Sequence, residues 1–539
     1  MKRMLLTLVL VAGQMAAQKV FSKNDTLVGS NTQFRNFWNV THYAINLEPD
    51  FNKKSLKGSN KISFCIEKDA VNPVLQIDLQ EPMKFTKIVA DFPISSSKKT
   101  GNFIFVEAKK TFKKGEQYFI SIDFEGQPVQ AKNAPWDGGW VFTTDDKGNP
   151  WISAATEGIG ESVWLPIKEY WGDEPENGMT FQLTVPKGLT AIANGKLVSR
   201  TPADQKEIFL WEVKNSINSY NIIPYIGKYV NFKDSFDGEK GKLDLDYWVL
   251  EPHLEQAKKQ FAQVKPMLKS FEYWFGPYPF YEDSFKMVES PYLGMEHQSN
   301  IAYGNGFQNG YLGRDLSGTG IGLTWDFIIV HESGHEWFGN NITAKDKADM
   351  WIHESFTNYS EALFVESTQS RVNGFKYAVG LRQNIQNDKP VIGQYGVRNS
   401  GSGDMYYKGA NMLHTIRQVI NNDDEFRRIL RGMNAEFRHQ TVTTWQIENY
   451  INLSSGIDFT GVFDQYLRTT KIPVLEFAQY KNVLKFRYRN VVDHFKLPLR
   501  INNGSREIHP TTEWQSVSLE STAPAIFDEN YFVEYQKIE

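Results

Sequence analysis

The chain has 539 residues, of which 41% are hydrophobic and 23% charged, the balance of a folded globular protein of roughly three or four domains. Lys plus Arg total 59 and Asp plus Glu 63, a net charge of -4, with no basic stripe, which argues against a life on nucleic acid. A single cysteine, Cys65, rules out an internal disulfide, and 14 Trp residues fit wide sheets or a ligand cleft equally well.

The first element is a targeting segment. Lys2 and Arg3 precede an apolar run from Met4 to Gly13, and Ala16 and Ala17 follow. That is the pattern of a secretory signal peptide, with cleavage expected after Ala17. The run is too short to span a bilayer, which takes about 20 apolar residues, and no later stretch is long enough. The expectation is an exported protein, periplasmic or extracellular, with no stable membrane insertion once residues 1–17 are removed.

From Tyr43 to about residue 240 the hydrophobic period is 2. Tyr43, Ile45 and Leu47 alternate with polar residues, as do Ile62, Phe64 and Ile66, then Tyr118, Ile120, Ile122 and Phe124, then Phe181, Leu183 and Val185. A largely antiparallel β domain over 18–245 is expected. The period then lengthens: Leu254, Ala257, Phe261, Val264, Leu268 and Phe271 form one stripe of an amphipathic helix, bent at Pro266. Helical patterns recur around 322–341, 354–368, 405–421 and 424–437, giving a mainly helical domain over 246–471. From Val474 the period returns to 2, in Leu484, Phe486 and Tyr488 and then Phe495, Leu497, Leu499 and Ile501, and a small β domain over 472–539 closes the order. The fold class is therefore multidomain α+β.

The chemistry lies in the helical domain. His331-Glu332-Ser333-Gly334-His335 follows the helix-compatible run Asp326–Val330. Residues i and i+4 share a helix face, so both imidazoles can reach one ion, while Glu332 lies beside them. Imidazole suits zinc, and a catalytic zinc keeps one position open for water. With 10 His in the chain, the pentapeptide pattern would arise by chance only roughly 0.01 times. A third ligand is available eighteen residues later in Glu354, within Trp351-Ile352-His353-Glu354-Ser355-Phe356. Glu336 and His353 compete in principle, but His353 adjoins Glu354 and points elsewhere, so both read as structural or supporting. Gly334 inside the helix costs about 1 kcal/mol relative to Ala and implies close packing there.

At these residues the sequence resembles the M1 family of zinc aminopeptidases, gluzincins with a thermolysin-like catalytic domain, over nearly all of the mature chain. The family's H-E-x-x-H-x-W-x-G-N reads here His331 to Asn340, and its W-x-x-E-G-F reads Trp351 to Phe356 with Ser355 in place of Gly. Its G-x-M-E-N, a strand that binds the substrate's free amino end, reads Leu293-Gly294-Met295-Glu296-His297, with Leu and His at the first and last positions. Its Y-x-K-G reads Tyr406-Tyr407-Lys408-Gly409, which selects Tyr406 over Tyr407. In the N-terminal domain Glu157 precedes Val163-Trp164-Leu165-Pro166 as the family's Glu or Gln does, without the Arg usual between them.

The resemblance implies one zinc per chain on His331, His335 and Glu354, Glu332 as general base, Tyr406 as donor to the oxyanion, and Glu296 with Glu157 as a clamp for the substrate's α-ammonium, with Met295 and Gly294 at the same subsite. It also implies a saddle-like N-terminal β domain, a β-sandwich-like C-terminal one and a short form without the helical solenoid of larger members. Peptides with a free N-terminus would be the substrates. Asp349, by position alone, is a candidate to orient a ligating histidine. The competing readings are a thermolysin-type endopeptidase, which has no use for an ammonium clamp, and an inactive peptide-binding relative, which would typically lack a ligand or the base. The leukotriene-type epoxide hydrolase branch of the family finds no positive support in the sequence.

Overall fold

A computed structural model describes residues 20–539. The expected signal segment, 1–17, lies outside the described residues.

The N-terminal region is built on a seven-stranded sheet ordered Lys196–Ala203, Lys206–Val213, Met179–Pro186, Trp38–Asp50, Ser55–Ile66, Gln117–Gly126 and Lys84–Ala90. Every neighbouring pair is antiparallel except Trp38–Asp50 with Met179–Pro186, where Tyr43 lies opposite Met179 and Leu47 opposite Leu183 in parallel. Alternate residues of these strands are buried, as the period of 2 requires: Ile62, Phe64 and Ile66 on one strand and Ile120, Ile122 and Phe124 on its partner. A four-stranded sheet of Gly139–Thr144, Pro150–Ala155, Tyr225–Gly227 and Thr190–Ile192 carries the chain toward the second domain, and Glu157 lies two residues past the end of its strand Pro150–Ala155.

The expected boundary after residue 245 is not where the sheets divide. It cuts through the strand Gly241–Leu250, which pairs with Tyr229–Gly238 on one side and with Phe285–Glu289 on the other. Leu243, Leu245 and Tyr247 pack in the core of the catalytic domain. Hydrophobic alternation does not change when a chain passes from one sheet to the next, so the period of 2 concealed the division. The resulting five-stranded sheet ends in the short edge strand Gly294–Met295, antiparallel to Ile301–Tyr303.

The helix expected to bend at Pro266 breaks a turn earlier, into Leu254–Gln260, a 3-10 turn Phe261–Gln263 and Val264–Phe275. Pro266 is the third residue of the last piece, where a backbone N–H has no intrahelical partner and proline is tolerated. The helix expected over 322–341 is only Phe327–Gly334, because Asp326 caps it by accepting from the Ile328 and Ile329 N–H groups. His335 stands just past its end with right-handed helical torsions, so the i, i+4 relation to His331 survives. The helix Trp351–Thr368 packs across it and is itself flanked by Tyr407–Ile420. Gly334 faces this crossing: a Cβ there would stand 2.7 Å from Ser360 Oγ and 3.1 Å from Thr357 Cγ2. Close helix approach is what the glycine provides.

The C-terminal unit is a four-stranded sheet of Gln515–Ser518, Val483–Arg489, Val474–Tyr480 and Glu534–Lys537, with a two-stranded ribbon, Leu499–Ile501 and Arg506–Ile508. Leu484 and Phe486 from the sheet and Leu499, Ile501 and Ile508 from the ribbon share one core, the arrangement of a small sandwich. That core is continuous with the catalytic one. Phe495 and Leu497 are buried as expected but lie on irregular chain ahead of the ribbon.

Candidate metal centre and cleft

His331 and His335 project from the end of the helix Phe327–Gly334 toward Glu354, in the first turn of Trp351–Thr368. His331 Nε2 lies 3.7 Å and His335 Nε2 3.4 Å from Glu354 Oε2, and the three side chains could hold one ion. Their other polar atoms fix which nitrogens face inward. His331 Nδ1–H donates to Glu361 Oε1 at 2.7 Å, and His335 Nδ1–H donates to the Phe338 carbonyl at 3.0 Å. Both Nε2 lone pairs are thereby left for a ligand. Glu354 Oε2 is buried and accepts no hydrogen bond, an unfavourable state for a carboxylate oxygen that a cation would relieve. Two imidazoles, neutral once a metal takes their Nε2 lone pairs, and one carboxylate are the donor set of a catalytic zinc, so the residues fit that metal. Glu296, Glu332 and His335 also come within reach of a single ion, but that set shares His335 with the first and offers only one imidazole.

Glu361, further along the helix Trp351–Thr368, was not singled out from the sequence. It stands seven residues after Glu354, two turns on the same face, and this spacing was the available signal. It is fully buried and also accepts from Asn358 Nδ2 at 2.8 Å and the Tyr377 hydroxyl at 2.7 Å. Asp349, the sequence candidate for this role, does not perform it. Its carboxylate accepts instead from the Tyr395 hydroxyl at 2.6 Å and from Thr444 Oγ1 at 2.5 Å, and so braces the start of the helix.

The triad lies in a cleft of about 460 Å³ whose lining includes Glu157, Gly294, Met295, Glu296, Glu332, Tyr406 and Tyr407. Apart from Asp349, the site residues named from the sequence are therefore brought together, from both domains. Glu332 is buried and its carboxyl is pushed up to about 7 by that burial, against the pull of His331 and His335. Gly294 packs against it: a Cβ there would stand 2.7 Å from Glu332 Oε1. Burial would also raise Glu354, but the two histidines hold it well below the usual carboxylate range. The Tyr406 hydroxyl lies among carboxylates, and burial first, then Glu354, Glu157 and Glu296, drive it far above its ordinary value, so it stays a proton donor. Tyr407 opens the next helix, Tyr407–Ile420, and its hydroxyl is raised to about 12, by burial and then by Glu361.

Glu296 is buried at the end of the edge strand, accepting from the Tyr220 hydroxyl at 3.1 Å, while Asn340 Nδ2 donates to its carbonyl at 2.8 Å. Glu157 faces it from the N-terminal domain and is lifted to about 7 by burial, with Lys347 pulling it down. The apolar part of the wall is Trp136, Leu293, Tyr311, Leu316, Phe327 and Ile328. His297, Glu336 and His353 stay out of the donor set. His297 Nδ1 pairs with the Tyr225 hydroxyl at 2.6 Å and burial pushes its pKa down to about 3. Glu336 Oε1 accepts from the Ser299 N–H at 2.8 Å and is raised by burial to about 8, while His353 Nε2 accepts from the Ala344 N–H at 2.7 Å.

Comparison with known proteins places this geometry among relatives. The sequence profile described as Peptidase family M1 domain matches residues 260–466, and that described as Peptidase M1 N-terminal domain matches residues 39–221. Probable aminopeptidase 2 of Sulfurisphaera tokodaii is 21% identical over 89% of this chain and 61% of its own length. Leukotriene A-4 hydrolase of Xenopus laevis is 22% identical over 79% of this chain and 70% of its own length. The chain thus spans about three fifths of the length of the first of these relatives. Among solved structures, a two-domain M1 zinc metallopeptidase mutant bound to L-tryptophan superposes with a TM-score of 0.69 at 18% identity, covering 83% of this chain and 96% of that one. A mutant M1 zinc metallopeptidase from Deinococcus radiodurans bound to a Tyr-Ser-Ala substrate superposes with a TM-score of 0.67 at 18% identity, covering 83% and 97%. At these identities the superpositions establish the shared fold.

Proposed function

The chain belongs to peptidase family M1, and on that premise we propose that it is a zinc aminopeptidase that removes single residues from peptides with a free N-terminus. One observation carries the reading: the carboxylates of Glu296 and Glu157 share a cleft with the ligand set His331, His335 and Glu354. A zinc ion held by that set supplies a Lewis acid for the scissile carbonyl and makes water a nucleophile near neutral pH.

The chain's own residues do the rest. Glu332, beside the ligands and with a carboxyl raised toward neutrality, accepts the proton of the attacking water and delivers it to the leaving amine. The protonated Tyr406 hydroxyl donates to the carbonyl oxygen as negative charge develops there. Glu296 and Glu157 accept charge-assisted hydrogen bonds from the α-ammonium, and Met295 and Gly294 border the same subsite. A clamp of two carboxylates for an α-ammonium would have no role in an endopeptidase, whose substrate chain must continue past that point. The presence of both histidines, Glu354 and Glu332 speaks against an inactive relative.

Export rests on residues 1–17, which read as a signal peptide and would place the enzyme in the periplasm or outside the cell. Among the described residues, no helix is long and apolar enough to cross a membrane.

The test is turnover of a panel of aminoacyl fluorogenic amides by the protein as purified, after stripping with a chelator, and after zinc is returned. Activity that disappears on stripping and returns with zinc is expected. Full turnover by protein shown to contain no metal would overturn the proposal.

A further inference from the structure

The two clamp carboxylates come from different domains, so something must fix one against the other. Glu296 is braced within its own sheet and by Tyr220. Glu157 sits on a loop, residues 156–160, that leaves the end of the strand Pro150–Ala155. Two cations of the catalytic domain reach across to that loop. Lys347, in the 3-10 turn Lys347–Asp349 just ahead of the ligand helix Trp351–Thr368, donates from Nζ to the carbonyl oxygen of Glu157 itself at 2.7 Å. Arg398, on the irregular chain before Tyr406, donates from Nη1 to the carbonyl of Ile159, and its Nη2 pairs with Glu169 Oε1 at 2.9 Å. Glu169 in turn accepts the Ser162 N–H at 2.6 Å and the Glu161 N–H at 3.2 Å. The guanidinium packs closely on Gly160, where φ is +95°, so a side chain there would be strained and would have to displace it.

The brace continues to the other carboxylate. The Lys347 ammonium lies 5.3 Å from the ring centre of Trp171, and Trp171 stacks on Tyr220 at 4.9 Å, the tyrosine whose hydroxyl holds Glu296. Thr156 Oγ1, one residue before Glu157, donates to the Tyr220 carbonyl at 3.0 Å.

We propose that Lys347 and Arg398 are positioning residues for substrate binding: anchored on the catalytic domain, they hold the Glu157 loop so that Glu157 stands opposite Glu296 at the spacing one α-ammonium requires. The inference rests on the reading of Glu157 and Glu296 as the ammonium clamp. Neither cation lines the cleft; each donates to a backbone carbonyl at or beside Glu157, and Lys347 adds a direct charge effect on the Glu157 carboxyl that Arg398, the cleaner test, does not share. Losing one of these hydrogen bonds loosens the loop and weakens capture of the ammonium, in the ground state and the transition state alike, so KM rises while kcat holds.

The experiment measures kcat and KM on one aminoacyl amide for R398K and K347M, each alone and combined with E157Q, with zinc content and melting temperature recorded. Lysine keeps the charge of Arg398 but cannot span the Ile159 carbonyl and the Glu169 carboxylate together. The expected result is a KM raised about three- to tenfold by R398K or K347M, with kcat within about twofold, as loss of one hydrogen bond implies. In the E157Q background, where KM is already raised, neither change should raise it further. Should K347M fail to fold, R398K decides alone. A lower melting temperature with unchanged KM, or the same KM increment with E157Q present, overturns the proposal and leaves the clamp standing. If E157Q alone leaves KM unchanged, the clamp and this proposal fall together.

Discussion

Replacing Glu361 by Gln tests the support of the metal centre. The carboxylate is fully buried and accepts three hydrogen bonds, from His331 Nδ1 at 2.7 Å, Asn358 Nδ2 at 2.8 Å and the Tyr377 hydroxyl at 2.7 Å. Gln has the same shape but no charge, and its amide must turn an NH2 toward one of these donors. A hydrogen bond to a charged group is worth about 1.5–3 kcal/mol and a neutral one about 0.5–1.5, so the exchange costs about 1–2 kcal/mol at His331. At 1.4 kcal/mol per tenfold, zinc affinity should fall about 5- to 30-fold, overlapping the lower part of the roughly 10- to 100-fold range found when an outer partner of a ligating histidine is lost. Competition titration against a chromogenic zinc chelator reads this directly, with circular dichroism as the check on folding. Tyr377→Phe, which removes only the bond to the opposite oxygen, should change affinity by about threefold or less. A folded E361Q protein whose zinc affinity stays within about twofold of the parent's would refute the reasoning, because the orientation of His331 would then not depend on Glu361.

Three further predictions address the chemistry and the packing. Glu332→Gln should keep its zinc and its fold but lose about 10²–10⁴-fold in kcat, since an amide cannot take the proton of the attacking water; near-normal turnover by the metal-replete variant would remove Glu332 from the mechanism. Tyr406→Phe should lower kcat about 10²–10³-fold with little change in KM, while Tyr407→Phe stays mild, and exchange of the two results would move the donor role to Tyr407. Gly334→Ala should lower the melting temperature by a few degrees, because its Cβ would stand 2.7 Å from Ser360 Oγ; the rise expected from helix propensity alone would show that the helix crossing has slack.

The parts of this site that were legible in the sequence are those joined by short-range geometry. His331 and His335 are one helical turn apart, and Glu354 is carried by the next helix, so periodicity and donor chemistry sufficed. Glu361 obeys the same rule at seven residues and could have been read, but a glutamate without a motif looks like surface charge until its burial is seen. Tyr220, Lys347 and Arg398 carried no local signal: Tyr220 meets Glu296 from 76 positions away, Lys347 meets Glu157 from 190 and Arg398 meets Ile159 from 239, and only the folded chain brings them there. Asp349 went wrong for the complementary reason. Nearness to Glu354 in sequence suggested contact with a histidine, whereas the turn Lys347–Asp349 points its carboxylate back toward Thr444 and Tyr395. The fold shows the same division. Strand and helix types follow from period, but their ends do not: the cap at Asp326 shortened one helix, and a 3-10 turn at Phe261–Gln263 rather than Pro266 broke another.

The most direct test of the account is where a peptide is cut. Glu296 and Glu157 line one cleft; if they form the proposed clamp, they take up a free α-ammonium, whereas an acetylated terminus brings bulk and no charge and leaves a carboxylate unpaired, at a cost of about 1.5–3 kcal/mol or more. Mass spectrometry of one decapeptide, digested in its free and N-acetylated forms by the zinc-loaded protein, reads the outcome. The account predicts a ladder that shortens by one residue at a time from the free N-terminus and an acetylated peptide left intact. Prompt internal cleavage of the acetylated peptide would contradict it.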